Sequence, residues 1–346
     1  MPAPDAELLR LRLAAQRLTP AAPAVDPVDA VRAVLGVQAQ DVRAAGLAIR
    51  SRVPGVARAD VDAAPLVRTW TVRGTAHLIA ADDLPWLDSL TGPRNRRRFD
   101  GLMAKRENLE VAGALLEPSI EILAEGPMTR ADLIARQEEC GLPSLGDYSI
   151  NVLMPWLASS GRVIGLADGT FVATDPPPPV DEDEALATLA RRYLAGYGPA
   201  STEDLARWSG LPITACRRAF DAAGPLEAFG DLLGLPGSAP GEPAPVNLLG
   251  AFDTAMLGWN SREPVVAAAD DLRIGGGAGM IRAVLLARGR AVGTWKLAGS
   301  GRRRRLVVGA FDGAEEVVAK ISAEPALEAE LADVGRYLDL DLELAS

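Results

Sequence analysis

The run Val37-Gln38-Ala39-Gln40-Asp41 sets functional groups at a spacing that chemistry can use. In an extended or kinked stretch, residues i and i+2 point the same way, so Gln38 and Gln40 aim two carboxamides at one point. Two such amides can hold a water molecule, one donating N–H and one accepting O–H. An amide does not titrate near neutral pH, so the pair is no Brønsted base. It suits only a reaction whose leaving group is already good. The plainer reading is two solvated glutamines, with Asp41 as the N-cap of the next helix. On residue types alone, the plainer reading is the commoner one.

His77 is the only histidine. It suits general acid–base work or a structural hydrogen bond. With no second histidine and no serine or cysteine motif beside it, the structural role is favoured, and a metal site lacks ligands. A second polar cluster runs from Leu249 to Arg262. In it Asp253 and Arg262 are candidates for an ion pair, and Trp259 for stacking on a base. A turn with an ion pair and a packed tryptophan accounts for the cluster equally well. Gly275-Gly276-Gly277-Ala278-Gly279 lacks the Lys-Ser/Thr and the strand–helix context of a phosphate loop. Lys105, Lys296 and Lys320 are the only lysines among 36 bases, which leaves few candidates for amine chemistry.

The chain has 346 residues, 48% of them apolar, enough for two or three globular domains. It has no apolar run long enough to span a membrane, and residues 1–18 do not read as a signal peptide. Two cysteines, Cys140 and Cys216, make no disulfide framework, which suits a reducing cytoplasm. The net charge of −10 argues against a nucleic-acid partner at face value. The charge is segregated, however. Residues 312–346 carry net −8 and Asp181–Glu184 carry −4, leaving the remainder at +2. Two stretches are strongly basic. One holds Arg94, Arg96, Arg97, Arg98, Lys105 and Arg106 against Asp100 alone. The other runs from Ile281 to Arg305 with eight bases, Arg288, Arg290 and Lys296 among them, and no acid. Local potential governs phosphate affinity more than net charge, so both are candidate DNA contacts.

These residues need elements to hold them. Gly126-Pro127 with Thr129 and Asp132 recurs as Gly198-Pro199 with Ser201 and Asp204. In each copy Gly-Pro ends a helix and a near capping box starts a short one. A second helix near 148–159 and a hairpin around Asp168-Gly169 complete one winged helix. A helix near 214–222 and a weaker hairpin near 226–235 complete another. A divergent copy upstream has helices near 26–35 and 41–53 and a hairpin, with Arg73 at the tip of a two-residue Arg73-Gly74 turn. The expected fold is α+β, mainly helical, with three tandem winged helices (1–95, 96–178, 179–240) and a β-barrel-like part at 246–346. There, strands are expected at 265–269, 283–286, 292–297 and 305–310, and a closing helix at 325–338.

The run Val37–Gln40, Arg68-Thr69-Trp70 with Arg73–Leu78, Gly198–Gly210, Phe252-Asp253, Leu257-Gly258-Trp259 with Arg262, and Gly293-Thr294-Trp295-Lys296 resemble, in the same order, the AlkZ-type winged-helix DNA glycosylases. That resemblance implies three winged helices and a barrel forming a C-shaped DNA channel. It implies excision of N7-alkylguanine-type adducts, and in some relatives the unhooking of interstrand crosslinks made by genotoxic natural products, in general repair or in self-resistance. The Gln-apolar-Gln motif falls on Gln38 and Gln40. His77, Asp41, Trp259 and Asp253 become supporting residues, with Trp259 at a position where many relatives have tyrosine. Arg73, Arg94, Arg96, Arg97, Arg262, Arg288, Arg290 and Lys296 become DNA contacts. The expected enzyme is a cytoplasmic, nucleoid-associated monomer without cofactor or metal. Lysine poverty points to a monofunctional glycosylase. The rival from the winged helices is a non-catalytic DNA-binding regulator, which would act as a symmetric dimer on undamaged sites.

Overall fold

The computed structural model describes residues 4–146, 150–277 and 279–345. Asp26 caps the helix Pro27–Ala33, accepting from the Asp29 N–H, and Pro27 occupies the first turn, where no donor is needed. Gly36 then reverses the chain at φ +98°, and a Cβ there would lie 2.9 Å from Ile79 Cγ2, so both backbone and space require glycine. The short strand Val37–Gln38 follows, paired antiparallel with Ala76–Ala80 so that Gln38 faces His77. Asp41 caps the next helix, Val42–Arg50, through the N–H groups of Arg43 and Ala44.

The hairpins expected for the first two units are halves of one five-stranded antiparallel sheet. Its order is Val37–Gln38, Ala76–Ala80, Leu66–Trp70, Val163–Gly165, Phe171–Ala173, and Arg68 opposite Gly165 joins the halves. The first hairpin's turn is wider than two residues. It spans Thr71–Thr75, closed by Thr71 N–H to Thr75 O at 3.2 Å, with Arg73 left-handed at φ 56°. The expected capping boxes form at Thr129/Asp132 and Ser201/Asp204. They start the helices Arg130–Glu139 and Thr202–Ser209. The following helices are Ile150–Ala158 and Ile213–Ala222, and the later hairpin is Glu227–Phe229 with Leu232–Gly234. The expected start of the 148–159 helix lies outside the described residues.

The C-terminal part is a curled five-stranded sheet ordered Asp341–Leu344, Arg303–Ala310, Arg290–Ala298, Val284–Ala287, Val246–Leu249, with only the first pair parallel. The helix Pro325–Leu338 packs on it as expected. The strand expected at 265–269 is instead a loop running into a short 3₁₀ turn. Val265 and Val266 are apolar there because they are buried in the core. Among the described residues no helix is long and apolar enough to cross a membrane.

One core joins the first unit to this sheet: Val37, Ala39 and Ile49 pack with Leu285, Trp295 and Val334. A buried ion pair fastens the same junction. Arg52 donates to both oxygens of Asp253 at 2.9 Å, and both side chains are fully buried. Arg52 also reaches Gln16 and Thr254, and Gln16 donates to Gly196 O at 2.5 Å, so the network ties four segments together. Asp253 therefore pairs with Arg52 and not with Arg262, which takes Asp271. Removing one member of such a pair strands the other's charge in low dielectric. Asp253→Ala should destabilise the fold by about 3–5 kcal/mol. Thermal and denaturant unfolding check this; an unchanged midpoint contradicts it.

Candidate active site

Gln38 and Gln40 meet in a cleft of about 390 Å³ walled by four segments of the chain. The first unit supplies both glutamines, Arg73 and Thr75. The helix Thr202–Ser209 supplies Arg207. The segment Met256–Arg262 supplies apolar and polar groups, and Gly279 and Ile281 close one side.

The backbone dictates the convergence of the amides. Ala39 N–H donates to Ala76 O at 2.8 Å, and Ala39 O accepts from Arg68 Nε at 2.7 Å. This holds the segment extended, so Ala39 turns into the core while its neighbours turn outward. Gln38 is nearly buried and Gln40 exposed. Gln38 Nε2 donates to Gln40 Oε1 at 2.8 Å, and Arg73 Nη2 donates to Gln38 Oε1 at 3.4 Å. A guanidinium can only donate, so it demands the oxygen of Gln38. The NH₂ of Gln38 is thereby left for Gln40, which must answer with its own oxygen. The Arg73 charge thus sets the polarity of both amides. Arg73 is anchored in turn by Trp208 O, and its turn lies against Gly210, where a Cβ would come 3.3 Å from Arg73 Cα. Burial pushes its pKa down.

The described lining contains three arginines but no carboxylate, imidazole, thiol or amine. None of these described side chains transfers a proton readily at neutral pH. Arg262 is fixed by Met256 O and Asp271, whereas Arg207 has no acidic partner among the described residues. Arg207, Thr75 and Asn260 escape sequence reasoning because they are brought to the cleft only by tertiary packing. The solitary Arg207 within the second capped repeat was the one available signal.

Several expected site residues have other work. His77 lies behind the pair, fully buried, with Nδ1 bonded to Thr75 O at 2.9 Å. Burial, reinforced by the Arg73 charge, lowers its pKa from 6.5 to about 3, so it is neutral and structural. Asp41 is the N-cap. Trp259 is only 5% exposed, with Nε1 bonded to Tyr197 O and the Arg12 guanidinium 4.6 Å from its ring centroid. It is a packed wall and presents no open face for a base. Arg73, expected at a free tip, points inward.

The basic stretches are also divided. Arg94 binds Gly210 O and Arg98 binds Arg73 O, beside a second cleft of about 420 Å³. Arg96 lies over Trp156 and 3.9 Å from Asp100, while Arg97 is exposed without an acidic partner among the described residues. Arg288 and Arg290 flank the turn joining Val284–Ala287 to Arg290–Ala298. Lys296 is six residues along that strand from Arg290, roughly 20 Å away. Arg302 and Arg303 pair with Asp339 and Glu343, because the acidic C-terminal strand runs alongside them. The acidic tail thus sits on part of the basic stretch instead of standing apart from it.

His77 gives a stability test. Between pH 6.5 and about 3 the unfolded chain takes up a proton that the folded chain refuses. Stability is therefore complete above pH 6.5 and falls with decreasing pH, by about 1.4 kcal/mol per unit. Unfolding of wild type and His77→Gln from pH 7 to 4.5 should show this component only in wild type. Parallel losses in the two proteins contradict a buried neutral imidazole.

The comparisons with known proteins concern nearly the whole chain. Residues 31–337, which include both glutamines, match the family described as DNA glycosylase AlkZ-like. The chain is 27% identical over 342 residues to an interstrand DNA cross-link repair glycosylase of Streptomyces sahachiroi, covering 89% of this chain and 90% of that protein. Its fold is similar to the structure of Streptomyces sahachiroi DNA glycosylase AlkZ, with a TM-score of 0.73, 25% identity and full coverage of both chains. Among the two readings left by the sequence, the enzyme is thereby favoured over the regulator. The chain belongs to the AlkZ-like DNA glycosylase family.

Proposed function

We propose that the cleft hydrolyses the N-glycosidic bond of N7-alkylated purines in duplex DNA, with Gln38 and Gln40 holding the attacking water. The observation that carries this is the 2.8 Å amide pair, backed by Arg73, in a cleft whose described lining has no proton-transfer group. Alkylation at N7 makes the base cationic, so it departs as a neutral molecule without needing a proton. What remains for the protein is to place water at C1′ and to tolerate the oxocarbenium-like sugar, which is positioning and electrostatics.

The polarity set by Arg73 serves this task. Gln40 Oε1 accepts one bond from Gln38 and keeps a second lone pair for a water O–H. Arg73 is then a positioning residue, acting through Gln38. The arginines repel a cationic base but attract the phosphates around it, and Arg207, with no acid to satisfy it, is the readiest phosphate contact. The described lining holds no lysine, which supports a monofunctional enzyme that leaves an abasic site.

In this reading the units 1–95, 96–178 and 179–240 act as three winged helices that, with the 246–346 part, cradle the duplex as a C-shaped monomer in the nucleoid. Arg97, Arg288, Arg290 and Lys296 contact phosphates farther out. The name of the Streptomyces sahachiroi relative makes crosslinks joined through N7 the natural extension of the substrate range.

Gln40→Ala should lower single-turnover release of 7-methylguanine by about 100-fold, with duplex affinity within twofold of wild type. Arg207→Ala should do the reverse, weakening affinity and lowering its salt slope by about one while saturated release is kept. Full activity in Gln40→Ala contradicts the mechanism.

A further inference from the structure

Beside the glutamine cleft lies a larger cavity, of about 740 Å³. The two share Ile281 as a common wall. The floor is the outward face of the curled sheet, where Lys296 pairs with Val307 and Thr294 with Gly309. The opposite face of the same strands carries Trp295 and Leu306 into the core. The side wall is a tight turn, with Gly275 bridged to Ile281 and Gly276 N–H bonded to Met280 O at 2.8 Å. It projects Met280, 49% exposed, beside Ala251, Ala283 and Val307. The only charges in the described lining are Arg282 and Lys296, and neither has an acidic partner among the described residues.

We infer that this cavity is a subsite for the N7 substituent of the damaged purine, and that it selects uncharged, flat apolar groups. The inference rests on the reading that the damaged nucleotide lies at Gln38 and Gln40. A substituent leaving the base there meets Ile281 and, beyond it, an apolar surface with far more room than a methyl group fills. Methionine adapts to irregular apolar shapes and packs favourably against aromatic rings. The sign of the rim matters as much as the apolar floor. An ammonium-bearing substituent finds no acid to pair with and two cations to oppose it. The rim cations instead suit the phosphates flanking the lesion. Gly276 matters here, because a Cβ at that position would lie 2.9 Å from Met280 Cβ and push it away.

Gly309 allows a clean block of the subsite. A Cβ there would meet only Thr294 Oγ1 at 3.6 Å and Thr294 O at 3.9 Å, ordinary contacts, so a larger side chain enters the cavity without disturbing the strand. The probes are duplexes with one 7-deazaguanine bearing methyl, naphthylmethyl or ammoniopropyl at its 7-carbon, which cannot be cleaved. The matching 7-alkylguanine duplexes serve for release, normalised to spontaneous depurination. Wild type should bind and process the naphthylmethyl adduct at least about tenfold better than methyl, and the ammonium adduct no better than methyl. Gly309→Phe should abolish the tenfold preference while keeping methyl release within twofold. Met280→Glu, at an exposed position, should shift preference toward the ammonium adduct. Equal binding of methyl and naphthylmethyl probes by wild type overturns the subsite, as does a preference unchanged in Gly309→Phe. Binding preference without any base release leaves the subsite standing and refutes the proposed reaction instead.

Discussion

The site depends on how one small residue is held. Ala39 is clamped by a hydrogen bond at each of its backbone polar groups, its N–H to Ala76 O and its carbonyl from the Arg68 side chain, and has its methyl in the core. An extended backbone here makes Gln38 and Gln40 neighbours in space; a helical one would splay them apart. The core that receives Ala39 also receives the inner face of the C-terminal sheet. Amide geometry and the placement of the far cleft wall are thus consequences of the same packing. The Arg52–Asp253 pair fastens the junction from within.

Electrostatics in the cleft work by exclusion as well as attraction. A half-buried guanidinium orders the two amides and adds its charge to the burial that keeps His77 neutral behind them, in a cleft whose described lining has no acid or base. Such a site cannot help a poor leaving group. In the proposed reaction, selectivity for damaged bases follows from what the lining lacks, because an undamaged purine would need protonation to leave. In the same proposal, the neighbouring apolar cavity adds discrimination among substituents to discrimination among bases.

Much of this organisation was legible in the sequence because it is written in local rules. The capping boxes at Thr129 and Ser201 and the Asp41 cap each depend on a few adjacent residues. What could not be read depends on distant partners. Asp253 and Arg262 are close in sequence, yet each prefers a different partner in space. The two hairpins gave no sign of merging, since a strand's edge does not name its neighbour. The apolar run at 265–269 looked like a strand because burial, not pairing, selects its residues. Arg73 looked like a free wing tip, because nothing local reveals the Trp208 carbonyl that turns it inward.

The most direct test of a site built from neutral amides is to compare a cationic lesion with a neutral one. Single-turnover release should be measured for duplex 7-methylguanine and duplex 1,N⁶-ethenoadenine, each normalised to its spontaneous rate, from pH 6 to 9. Efficient release of 7-methylguanine, flat with pH, and no release of ethenoadenine is the expected result. Comparable acceleration of ethenoadenine would require a proton donor and contradict catalysis by Gln38 and Gln40 alone.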